Sequence, residues 1–395
     1  MPAATAPDGP LRGVTVLDFS AVGPAARCTR LLADYGALVI KIGAVPAPAF
    51  STTTDDPWFF AYSGHRGMRR VLIDLKDDDG REAFLALAAH ADVVVESFRP
   101  GVVDRLGIGY DAVTARNPSI VYCSTSGYGQ DGPYANRAGH DINYLAVGGF
   151  LGMSTPGIAG APPLPGATIA DAAAGGMQAA LAISTALVGR STSGQGAYLD
   201  VSVAEGVLSL MSLSIDEQLA LGTAPVPGHD ILSGRFACYG TYRTRDGKWV
   251  AVGAIEAKFF ANLCRGLGCP ELAPDQLVEA AQPAIRAAFA RAFATRNRDE
   301  WIVRLGEADT CVAPILDIAE VGRDPQFVAR GAFTTASHPS RGTLRQLAPL
   351  LAGMDRTDDP VALPDPAQTD TEHLLKEAGV PVETIGDWVS RRVVA

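Results

Sequence analysis

The sequence is poor in the residues and patterns that mark several large protein classes. Charged residues make up only 19 %, aromatics 7 %, and acidic residues outnumber basic ones 43 to 33, for a formal charge of −10. A nucleic-acid surface needs a basic face, so this balance argues against one. The six cysteines, Cys28, Cys123, Cys238, Cys264, Cys269 and Cys311, form no CxxC pair. Neither they nor the six histidines show metal-ligand spacing, so no metal is expected. The cysteines read as buried, reduced thiols of a cytoplasmic protein. No stretch runs for ~18 apolar residues without interruption, so no membrane span is expected. The stretch Met1–Pro10 reads as a short tail rather than a leader. No GxGxxG follows the first strand pattern, which disfavours a dinucleotide site, and no GxSxG elbow is present, which disfavours an α/β-hydrolase.

What is present is a series of β-branched runs separated by helical patterns. Val14–Phe19, Leu38–Ile42, Val71–Leu75, Asp92–Glu96, residues 120–125 and Tyr198–Val203 read as strands. Helical patterns lie between them, at 24–32 and 78–89 among others. Alternation of this kind implies an α/β fold with a parallel, doubly wound, Rossmann-like sheet. At 395 residues the chain exceeds what one core usually supports. Thr223–Gly228 reads as a linker, and 239–243 with 249–254 as a β-hairpin followed by helices. The expected division is a large domain of 1–222 and 340–395 and a small α+β domain of 223–339. Residues 45–64 read as a long loop, and from Ser337 the chain reads as irregular, with two short helices near its end.

The organising stretch follows the strand at 120–125. It runs Ser126-Gly-Tyr-Gly-Gln-Asp-Gly-Pro-Tyr and then Ala138-Gly-His-Asp-Ile-Asn-Tyr144. Loops at the carboxyl ends of parallel strands carry chemistry in open α/β sheets, yet a strand, a loop and a surface histidine would look the same. Asp171 precedes an Ala/Gly-rich helix. It reads either as an N-cap or as a rigidly held carboxylate with a lowered pKa, serving as base or nucleophile. Glu256 is a third acid/base candidate. Arg66, Arg69, Arg70, Arg99 and Arg105 lie near strand ends, either as solvated charge or as an anion site. A histidine and a carboxylate on opposite faces of a carbon could move a proton from one face to the other. A carboxylate could instead attack a thioester and form a covalent intermediate.

These motifs resemble the family III CoA-transferase superfamily, and Gly139–Tyr144 resembles its α-methylacyl-CoA racemase branch. Supporting segments include Gly13–Asp18, Leu-Ala-Asp-Tyr-Gly at 32–36, Phe-Arg-Pro-Gly-Val at 98–102, Arg-Leu-Gly-Ile-Gly at 105–109, and Asp-Thr-Cys-Val-Ala-Pro-Ile-Leu at 309–316. The resemblance implies an interlocked homodimer with the site between the large domain of one subunit and the small domain of the other. It implies His140 and Asp171 as the acid/base pair, with Glu256 near them. It implies no cofactor beyond the coenzyme A portion of an acyl-CoA substrate, with Arg105 on the CoA phosphates. Arg99, Arg70 and Asp141 complete the expected CoA-contacting set. In the transferase branch the Asp171 position is the acyl-accepting nucleophile. Gly43 and Ala44 depart from the acidic and basic residues usual after the second strand.

Overall fold

The computed structural model describes residues 8–45, 63–155, 160–223, 225–339, 341–354, 356, 360–365 and 368–395. The loop read over 45–64 and the tail read over Met1–Pro10 lie mostly outside these residues. The chain forms two compact units. The first comprises Met1–Gly148, Pro165–Ser212 and Pro325–Ala395, and the second Gly149–Leu164 and Leu213–Asp324. The boundaries read at 222 and 340 therefore shift. Two helices, Val203–Leu210 and Ser212–Leu221, are separated at Met211, and the second unit starts just after that break. The chain returns to the first unit at Pro325 because the segment that follows is tied there, with Arg66 Nη1 donating to the Leu347 carbonyl at 2.8 Å.

The first unit is built on six parallel strands: β1 (Thr15–Asp18), β2 (Leu38–Gly43), β3 (Met68–Leu72), β4 (Val93–Glu96), β5 (Val121–Ser126) and β6 (Ala197–Ser202). Their order is β3-β2-β1-β4-β5-β6, so the winding reverses between β1 and β4. Alternate side chains serve two cores. Leu17, Ile40, Val94 and Tyr122 pack with Phe84, Leu87 and Trp388 on one face. Val16, Val39, Val93 and Val121 pack with Cys28, Leu32 and Ile183 on the other. Burial on both faces explains why these strands read as continuous β-branched runs. The end of the chain closes this sheet: Thr371 Oγ1 accepts from Leu72 N–H, Asp370 Oδ2 accepts from Arg70 N–H, both at 3.1 Å, and Val394 bridges to Ile73.

Two buried polar networks fix the loop ends. Asp18, fully buried at the end of β1, accepts from Thr29 Oγ1 at 2.5 Å, Ser20 Oγ at 2.6 Å and Lys41 Nζ at 2.7 Å. That set locks the turn leading into helix Gly23–Asp34. Asp34 Oδ1 accepts from Arg30 at 2.6 Å and Arg66 at 2.8 Å. Arg66 is thus a structural ion-pair member, which removes it from the anion site read from the sequence.

Helix packing beside the sheet depends on missing side chains. The run Ala170–Met177 is wound as π-helix and continues as α-helix through Gln178–Ser193. A Cβ on Gly206 would lie 2.0 Å from the Ala174 carbonyl oxygen, and one on Gly175 would lie 2.5 Å from Pro24 Cβ. A larger residue at either place forces helices apart, at about 1–3 kcal/mol. The outer face of the same helix is apolar and open, with Leu181 68 % and Val188 70 % exposed. By length and composition this 24-residue helix could cross a membrane, a feature hidden in the sequence because polar Gln178 and Ser184 interrupt the run.

The second unit holds the antiparallel strands β7 (Tyr239–Arg243), β8 (Trp249–Gly253) and β9 (Val312–Pro314). Phe260, Phe289, Phe293 and Trp301 form its core, and Trp301 Nε1 donates to the Phe293 carbonyl at 2.9 Å. In the first unit, the segment read as irregular from Ser337 includes a hairpin of β10 (Phe333–His338) and β11 (Gly342–Leu347). Its Thr, Ser and Gln content hides the alternation. The cysteines are all unpaired; five are buried, but Cys311 is exposed, contrary to the sequence reading.

Candidate active site

The loop after β5 is shaped by one tyrosine. Tyr144 is buried, its hydroxyl donates to the Gly139 carbonyl at 2.7 Å, and its ring meets Tyr128 edge-on. Burial pushes that hydroxyl up to about 12, which keeps it a donor. A Cβ on Gly127 or Gly139 would lie 2.4 or 2.7 Å from the Tyr144 ring. These glycines are the space the ring occupies. His140 follows Gly139 as the N-cap of helix Asp141–Val147, and its amide donates to Asn143 Oδ1 at 3.0 Å. The imidazole is therefore carried at a fixed, exposed position beyond the end of β5.

Asp171 reaches the same place from the other side. It lies within the π-helical turn, one residue past Ala170, and not at the cap read from the sequence; Ile169 holds that position. Its backbone N–H donates to Asp141 Oδ1 at 2.8 Å. The carboxyl is half-buried and its pKa is raised, first by burial and then by the Asp141 charge, while Arg27 and His140 pull it down. The lowering expected from a helix N-terminus is overturned, because desolvation and a second carboxylate outweigh it. His140, Asp141 and Asp171 thus form one cluster, with Arg27 as its cation. Sequence reading missed Arg27, although it lies one turn beyond the Gly23-Pro24 helix start.

The remaining residues are more dispersed. Arg99 and Arg105 are both exposed and flank the turn after β4, at the strand where the winding reverses. Arg70 lies inside β3, in register with Lys41 of β2, and is partly buried, which lowers its pKa. Three strand spacings, roughly 14 Å, separate β3 from β4, so Arg70 is not grouped with Arg99 and Arg105. Glu256 belongs to the second unit, where it is exposed and caps helix Ala257–Leu267. Gly43 ends β2, and Ala44 beyond it is exposed. Among the described residues no group of three or more His, Cys, Asp or Glu side chains is placed to hold a metal ion.

The sheet order, the loop after β5 and the His–Asp cluster define an α/β protein with its polar chemistry at the carboxyl edge of the sheet. Residues 11–371 match the model of CoA-transferase family III, and the chain belongs to that family as an enzyme. It is 34 % identical over 388 residues to the human α-methylacyl-CoA racemase, covering 97 % of both chains. It is 33 % identical over 339 residues to the acetyl-CoA:oxalate CoA-transferase of Acetobacter aceti, covering 82 % of this chain and 85 % of that one. The structure of a CAIB/BAIF family protein from Brucella suis superposes with a TM-score of 0.75 at 27 % identity, over 94 % of this chain and all of that one.

Proposed function

We propose that the protein is a racemase or epimerase of 2-methylacyl-CoA thioesters. The observation that carries this reading is the cluster of His140 with a half-buried Asp171 whose proton is held more tightly than an ordinary carboxyl's. One group removes the C2 proton and leaves an enolate; the other donates a proton to the opposite face. One member of the pair serves as base and the other as acid in a given direction, and the reverse reaction exchanges their roles. The racemase relative supports the reading, since its name describes this chemistry. The runner-up is CoA transfer between carboxylic acids through Asp171, favoured by the transferase relative. A bare nucleophile would be served better by a lowered pKa, which Asp171 lacks.

In this proposal CoA is part of the substrate, Arg99 and Arg105 meet its phosphates, Arg70 contributes a contact, and no further cofactor or metal is used. The reaction is placed in the cytoplasm. The functional unit is a homodimer, with Glu256 entering the site from the small unit of a second copy. The exposed apolar positions Leu181 and Val188, on one helix of the first unit, support a covered face of this kind. Sedimentation should give twice the 41.2 kDa chain mass; a monomer at micromolar concentration would refute the shared site.

The function is tested by incubation with a 2-methylacyl-CoA in deuterated water, with and without a free carboxylic acid. Deuterium should enter C2 without any acceptor. Transfer of CoA to the acid with no exchange would establish the transferase instead.

A further inference from the structure

Asp141 occupies a position the sequence assigns only to CoA contact, yet its carboxylate is already engaged. Oδ1 accepts the backbone N–H of Asp171 at 2.8 Å, across 30 residues of chain. We propose that Asp141 is a positioning residue: it anchors the first turn of the Asp171 helix and sets a second carboxylate beside Asp171. This inference rests on the racemase reading and assigns a role within it.

Two features of the fold make the anchor matter. The π-helical run at Ala170–Met177 is an uncommon winding, and its first turn lacks the partners an α-helix interior would give. Asp141 supplies one from outside. It is itself at the first position of helix Asp141–Val147, directly after His140, so one short segment fixes both members of the acid/base pair. A shift of one would be transmitted to the other through a single side chain.

Among the described residues, few groups face Asp171. Helix Asp141–Val147 contributes the Asp141 charge and Tyr144, with His140 at its cap. Helix Gly23–Asp34 contributes Arg27, which lowers the Asp171 pKa and whose Nη2 donates to Thr168 Oγ1 at 2.9 Å. Helix Val203–Leu210 meets the π segment through Val203 and Gly206, which carry no charge. Asp141 is thus the anion that offsets Arg27.

The test separates charge from anchoring. Asp141→Asn keeps an oxygen for the Asp171 N–H but removes the charge. The limb of the pH–rate profile that belongs to Asp171 should move to lower pH, with KM for the acyl-CoA little changed. Asp141→Ala loses both, and kcat should fall about 10–100-fold. A raised KM with an unmoved pH profile in Asp141→Asn would overturn the proposal and return Asp141 to CoA contact. Carboxyl NMR titration of Asp171 gives a readout that does not need turnover: its midpoint should fall in Asp141→Asn. Should the wild-type protein show no C2 exchange, the racemase reading fails, while an unmoved Asp171 titration sinks the Asp141 role on its own.

Discussion

His140→Ala will lose C2 exchange by about 10²–10⁴-fold while CoA still binds and the fold is retained. The loss is large because removing one member of the proposed acid/base pair leaves no positioned group to carry the proton on its face of C2. The fold is retained because His140 is an exposed N-cap, and the bond it makes to Asn143 uses its backbone amide, which alanine keeps. CoA binding is expected to be retained because Arg99 and Arg105, proposed to meet the CoA phosphates, lie on the separate turn after β4. Circular dichroism, CoA titration and deuterium incorporation on the same sample check the three parts. Exchange at the wild-type rate would remove His140 from the chemistry.

Asp171→Asn should abolish exchange and stabilise the protein. Asparagine neither takes nor gives the proton, so the loss should again reach about 10²–10⁴-fold. The stability gain follows from linkage. The folded-state pKa of Asp171 lies above that of an ordinary carboxyl, so the fold prefers the protonated form. Its contribution is fully present below the unfolded pKa and is lost as pH rises through the folded one. Asparagine resembles the neutral form at every pH. The melting-temperature advantage of the variant over wild type should therefore widen from the acid range toward neutrality. A variant less stable than wild type at neutral pH would show that the carboxylate stabilises the fold, as a helix cap would.

The sheet was legible because its strands are buried on both faces and their β-branched runs leave little choice of state. The site was half legible. His140 stands out beside glycines, and Tyr144 explains those glycines only once its ring is seen between them. The start of the Asp171 helix was not legible, since a run of Ala and Gly fits π and α winding equally. The sign of the Asp171 shift depends on Asp141 and Arg27, which meet it through tertiary packing and share no local pattern with it. β3 begins three residues before the strand pattern suggests, because Met68-Arg-Arg pairs with Val39–Lys41 through backbone bonds that its polar side chains conceal. The hairpin of β10 and β11 was missed for the same reason.

In the proposed reaction, proton transfer at C2 inverts configuration without a second substrate. A single enantiomer of a 2-methylacyl-CoA, incubated alone with the protein and resolved by chiral chromatography, should approach an equal mixture of both enantiomers. Retention of the starting configuration, with CoA passing to an added carboxylic acid, would contradict it.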